Sequence, residues 1–217
     1  MAANARPLSK KEIRRENEKV ILEAAEKVFA EAGFGGATMQ LIADVAGLPK
    51  ANLHYYFPTK ESLYRQVVEN IFTIWLQAAD VFDAAAGPAE GLGAYIDAKM
   101  EISRRHPAGS KVWASEVMHG APVIQDYLET KLEEWTNGRI MAIQGWIDRG
   151  LMDPIEPRHL LYMLWATTQH YADFGHQIET LNGAKPLSDE QWAIAKSSLK
   201  RIILKGIGVS ESESSNS

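Results

Sequence analysis

The sequence predicts an all-α protein of about nine helices: a three-helix head with a helix-turn-helix over residues 1–58, a larger helical body over 59–209, and a disordered tail over 210–217. Three observations carry this. Apolar residues recur at three- and four-residue steps along most of the chain, and no segment alternates with period two for long enough to make a strand. Glycine and proline cut this pattern into helix-length pieces at GFGG, GLP, GPAEGLG, HPAG, GAP and DPIEP. Residues 38–60, TMQLIADVAGLPKANLHYYFPTK, read as two short helices around a tight turn, with a third helix starting at once behind them.

In order, residues 1–8 read as a mobile arm, and Lys10, Lys11, Arg14 and Arg15 lead into the first helix. Its stripe is Val20, Ile21, Ala24, Ala25, Val28 and Phe29, and Gly33 ends it. Thr38 caps the second helix, which carries Leu41, Ile42, Val45 and Ala46 on its apolar side; Gly47 supplies the left-handed end. Pro49 has the fixed φ of a first helical position, so a third helix runs to Tyr56. Leu53 and Phe57 form its buried side, whereas Lys50, Asn52, His54 and Tyr55 are groups a core would not choose. A helix held from behind with polar and aromatic groups in front suits the major groove of double-stranded DNA. Gln40, Lys50, Asn52, His54 and Tyr55 are candidates for base edges or nearby backbone. Arg14, Arg15, Thr38, Tyr56 and Lys60 are candidates for phosphates, with Lys60 in the first turn of a helix capped by Thr59.

The body then offers a long helix over 59–82, helices over 92–105 and 107–118, a long one over 123–149, one from Pro157 through Phe174, and a last one from Ser188, whose capping box uses Gln191. Composition sets bounds around this. The chain has 217 residues, 46% of them hydrophobic, and net charge −5. Residues 1–64 hold nine of the 23 basic and eight of the 28 acidic residues, leaving 14 and 20 for the rest, so the positive excess lies in the head. Cysteine is absent and no apolar run is long enough to span a bilayer, so the expectation is a cytoplasmic protein without membrane or cofactor.

Thr38, Ile42-Ala43, Ala46-Gly47, Leu53, Tyr56-Phe57, Lys60 and Leu63 resemble the N-terminal domain of the TetR family of transcriptional regulators. Many members have Ser where this chain has Pro49, which exchanges a side-chain cap for a rigid start. The resemblance implies a homodimer that binds operator DNA and answers to a small effector, with the last two helices forming a four-helix bundle between subunits. Further segments in the body, IWL at 74–76, KMEISRRHP at 99–107, GAP at 120–122, WATTQHYADF at 165–174 and RIILKGI at 201–207, resemble the branch of that family concerned with pyrimidine utilisation. They imply a uracil- or thymine-like effector near Trp75, Trp113, Trp165 and Gln169.

The residues themselves leave alternatives open. Five tryptophans, Trp75, Trp113, Trp135, Trp146 and Trp165, fall in helices expected to pack together, and aromatics at helical spacing are more often plain core. Gln169 shares a helix face with Trp165, and a buried amide needs a partner; either a heterocycle with adjacent C=O and N–H groups or a subunit contact made with His170 supplies one. A regulator of the same type with a different small ligand is one alternative; two E-x-x-H pairs, Glu116/His119 and Glu156/His159, raise a metal-dependent helical-bundle enzyme as another, and His170 with Asp173 an acid–base pair. Glu156 directly precedes Pro157, which fits an acidic group at a helix start better than a ligand inside a bundle.

Overall fold

The computed structural model describes residues 9–209; the arm at 1–8 and the tail at 210–217 lie outside them. All nine predicted helices are present among the described residues, some interrupted or extended. α1 (Lys10–Gly36) opens on Ser9, whose hydroxyl accepts from Glu12 N while Glu12 returns the bond, and it bends at Gly33, φ 65°. α2 (Met39–Ala46) is capped by the Thr38 hydroxyl and ends on Gly47 in the left-handed region at φ 65°. α3 (Lys50–Tyr56) follows, and Pro49 serves as its N-cap with ψ 138°, one position earlier than the sequence predicts. Ile42 and Leu53 are fully buried, but Leu41 and Val45 are exposed and are not part of the apolar side they were expected to form.

α4 (Lys60–Ala78) starts from a Thr59–Ser62 capping box and stops four residues short of the predicted end. A turn at the fully buried Ala79 leads into the short α5 (Val81–Ala84), which brings Phe82 against Tyr95 and stacks it on Trp146. α6 (Pro88–Arg105) begins at Pro88, so GPAEGLG opens a helix where a break was expected. Gly91 is the reason that opening works: a Cβ there would lie 2.8 Å from the buried Trp146 ring and 3.1 Å from Ala85 Cβ. Gly91→Ala is therefore expected to lower stability by about 1 kcal/mol, since overpacking costs about 1–3 kcal/mol and helix propensity returns about 1. Urea denaturation checks the sign.

α7 (Pro107–Met118) is followed by α8 (Gln125–Tyr127), a π-helical turn at Leu128–Leu132, and α9 (Glu133–Asp148), which together replace the single helix expected over 123–149. α10 (Pro157–Asp173) is capped by Glu156. α11 (Gly175–Leu181), which the sequence does not predict, precedes α12 (Asp189–Gly206) and its Ser188–Gln191 capping box.

The buried residues form two clusters. One joins α1–α4 to Val112 and Trp113 of α7. The other joins α5, α6, α9, α10 and the end of α12. α4 and α7 thus belong to the head's core and also pack against α6 and α10 of the second cluster. Among the described residues no helix is long and apolar enough to cross a membrane.

Candidate functional site

Two regions gather the residues singled out above. On the head, Leu53 and Phe57 hold α3 from behind and leave Pro49, Lys50, His54 and Tyr55 exposed, with Asn52 half-buried at the rim. Tyr55 is 70% exposed, packs edge-on against Tyr56 and lies under the Arg14 guanidinium at 5.9 Å. Arg14 therefore sits on the side of α1 nearest this helix; Arg15, next along α1, is exposed as well. His54 places Nδ1 3.2 Å from the Pro58 carbonyl, so Nδ1–H donates there, and the residue stays exposed. Gln40 donates to Asp44 at 2.8 Å across one turn. Tyr56 Oη accepts from Asn17 at 3.3 Å and keeps its own proton to donate.

Lys60 differs from the expectation. Its ammonium donates to the carbonyls of Phe34 at 2.8 Å and Ala37 at 3.0 Å and sits 4.3 Å from the Phe34 ring centre. Two of its three donors thus tie down the α1–α2 connector, and at most one remains for a phosphate. The Thr38 hydroxyl is likewise engaged, by Leu41 N at 3.1 Å, although the residue stays exposed.

In the body, a cavity of about 190 Å³ lies at the seam between the two core clusters. Trp75, Trp113, Trp165 and Gln169, drawn from α4, α7 and α10, all line it. Phe72 stacks on Trp113 at 5.2 Å, and Trp75 meets Trp113 edge-on at 5.3 Å, so two walls are fixed aromatic planes. Trp165 Nε1 donates to Tyr95 Oη at 3.1 Å. The π turn closes another side: Leu128 and Leu132, its first and last residues, both line the cavity. Among the described residues the Gln169 amide makes no hydrogen bond, and buried Trp135 Nε1 has no partner either.

The other lining residues, Tyr95, Trp135 and Lys99 among them, are not ones the sequence singles out for the effector. Lys99 is fully buried, with its amine 4.1 Å from the Trp75 ring centre. Desolvation pushes it down to about 7, against the opposing pull of Asp173. The available signal was a lysine on the apolar stripe of α6, four residues after Tyr95. Trp146, grouped with the other indoles from sequence, stacks on Phe82 outside the cavity lining.

The acid–base and metal candidates have other partners. Asp173 accepts from Ser110 Oγ at 2.6 Å, and burial raises its carboxyl above the usual range. His170 stacks on Phe174 at 4.8 Å. Glu116 accepts from Val123 N at 2.6 Å and Ile124 N at 3.3 Å, while His119 faces the Ser115 carbonyl at 2.7 Å. Glu156 caps α10 through Arg158 N at 3.3 Å. Among the described residues no group of three or more His, Asp or Glu is placed to hold a metal ion.

A side-chain bond also ties α1 to α7. Glu26 of α1 accepts from Gly109 N of α7 at 2.9 Å, capping the helix that carries Trp113. Burial holds this carboxyl above its ordinary range, and the Gly109 bond and His106 pull it back down.

Residues 21–67 match the family described as bacterial regulatory proteins of the tetR family, and residues 68–210 match the C-terminal region of YcdC-like proteins. The HTH-type transcriptional regulator RutR of Escherichia coli (strain K12) is 39% identical over 189 residues, covering 87% of this chain and 89% of that protein. The transcriptional repressor KstR2 of Mycobacterium tuberculosis (strain H37Rv) is 26% identical over 163 residues, covering 71% and 81%. Among solved structures, AibR in complex with isovaleryl coenzyme A and operator DNA superposes with a TM-score of 0.67 at 17% identity, covering 86% of this chain and 97% of that one, which speaks for the fold alone. With both of its parts matched and a relative at 39% identity over most of its length, the chain belongs to the TetR family and is a DNA-binding transcriptional regulator.

Proposed function

We propose that this regulator senses a flat, pyrimidine-like ring such as uracil or thymine and acts as a homodimer on operator DNA. The observation that carries the ligand is the aromatic cavity with its unpaired Gln169 amide. Its volume falls below the roughly 300–1,000 Å³ of sites for drug-sized ligands, so it suits one ring better than a nucleotide or an acyl-coenzyme A. The indole planes offer stacking surfaces, and the amide offers one acceptor and two donors to a ring edge with adjacent C=O and N–H. Similarity to RutR over most of the chain supports the same ligand class.

The reader face of α3, with Arg14 beside it and Arg15 next along α1, supports operator binding through Gln40, Pro49, Lys50, Asn52, His54 and Tyr55, with Thr38, Tyr56 and the remaining donor of Lys60 toward phosphates. One head reads too little sequence to be selective, and two would address half-sites roughly 34–36 Å apart. The exposed Tyr162, Met163 and Phe174 on and beside α10, and Ile194 and Ile202 on α12, support a subunit interface there. Coupling would run through α4, which carries Lys60 at one end and Phe72 and Trp75 at the other, and through the Glu26–Gly109 bond between α1 and α7. A ligand shifts the heads only if it binds one of their spacings better than the other.

Thermal unfolding with uracil, thymine and their reduced derivatives tests the ligand. At a concentration about a hundred times Kd, binding stabilises by about 2.7 kcal/mol, which is a rise of roughly 5–10 °C in Tm for a chain of this length. No shift with any pyrimidine would sink the ligand assignment and leave the family membership standing.

A further inference from the structure

We propose that Lys99 sets which ligands the cavity accepts: its ammonium donates to a carbonyl oxygen or oxyanion on the edge of the ring, so the occupant must present a hydrogen-bond acceptor there. This rests on the cavity being the effector site. Lys99 is 2% exposed and lines the cavity. Its charge is stabilised inside the protein by the Trp75 ring, 4.1 Å from Nζ, and by the attraction of Asp173. Among the described residues no oxygen accepts a hydrogen bond from Nζ and no carboxylate lies within ion-pairing distance. Asp173, the acidic group that bears on it from α10, has Oδ1 taken by Ser110 of α7. A π face attracts a cation without using its N–H donors, so three donors stay unspent in an apolar wall. An incoming carbonyl oxygen recovers that cost; a ring with only C–H or donor groups at that edge adds to it.

A proton linkage follows. Burial already weakens the charged form of Lys99, bringing it to about 7, and an acceptor oxygen favours the charged form again. Binding above neutrality therefore takes up a proton, and affinity falls as pH rises through that range. The other charged groups around the site are Asp173, with Lys111 and His170 acting on it, and Arg139, which acts on Tyr95.

The test is titration calorimetry of the full chain with uracil at about pH 6.5 and about pH 8, in buffers of different ionisation enthalpy. Wild type should bind roughly five- to tenfold more weakly at the higher pH and take up close to one proton there. Lys99→Met should lose both effects and bind roughly ten- to a hundredfold more weakly at the lower pH. Asp173→Asn should keep the uptake. Exchanging a carbonyl oxygen of the ligand for sulfur, a poor acceptor, should weaken binding to wild type and make little difference to Lys99→Met. The variant removes a buried charge whose desolvation opposes folding, so it should fold, and the wild-type proton count needs no variant. Binding by wild type with no uptake, or equal binding of uracil by Lys99→Met, overturns the role of Lys99 while leaving the pyrimidine reading intact. Absence of binding by any pyrimidine overturns both.

Discussion

Gln169→Ala is expected to weaken effector binding roughly ten- to a hundredfold, because each ligand group left unpaired in an apolar cavity costs about 1–3 kcal/mol. Operator affinity without ligand should not change, since Gln169 lies in the α10 wall of the cavity and makes no hydrogen bond among the described residues. Calorimetry with uracil and gel retardation of an operator fragment, run on the same preparation, separate the two effects. An unchanged ligand affinity would remove Gln169 from the site. A parallel loss of operator binding would mean that the residue supports the fold and does not read the ligand.

Lys50→Glu should act in the opposite way. Lys50 is exposed at the first turn of α3, so its replacement should move stability by no more than about 0.5 kcal/mol. Against DNA it exchanges an attraction for a repulsion. Operator affinity should fall roughly ten- to a hundredfold, and the slope of log affinity against log salt should flatten by about one for each phosphate that is no longer neutralised. Effector binding measured by calorimetry should be untouched. A variant that still retards the operator at wild-type concentrations would show that α3 does not face the groove in the way argued.

These two expectations differ in how far the sequence alone reached. Helix α3 was legible because its cause is local. Thr38, Gly47 and Pro49 set the ends of α2 and α3 through bonds spanning three or four residues, and buried Leu53 and Phe57 orient the rest. The four cavity residues were legible through resemblance; helical periodicity by itself also grouped Trp146 with them, and it could not tell a lining indole from a packed one. Lys60 and Lys99 show the limit most clearly. Both are lysines on helices with apolar neighbours; the sequence assigns Lys60 to a phosphate and passes over Lys99. The fold sends Lys60 to two carbonyls of a connector 23 and 26 positions earlier, and it seals Lys99 under an indole 24 positions earlier.

Sequence by itself determined the all-helical class, the capped starts of α2, α4, α10 and α12 and the polar front of α3, because hydrophobic period, capping and φ preference act within a turn or two. Tertiary structure decided where α4 stops, the π turn at Leu128–Leu132, the helical start at Pro88 and the burial of Lys99. Ala79 carries no local breaking signal; the chain turns there so that Phe82 can stack on Trp146, 64 residues away. Gly91 is tolerated in a helix because the same ring lies where a Cβ would be. Such choices depend on which distant surfaces compete for one volume, and close packing settles that only once the helices are assembled.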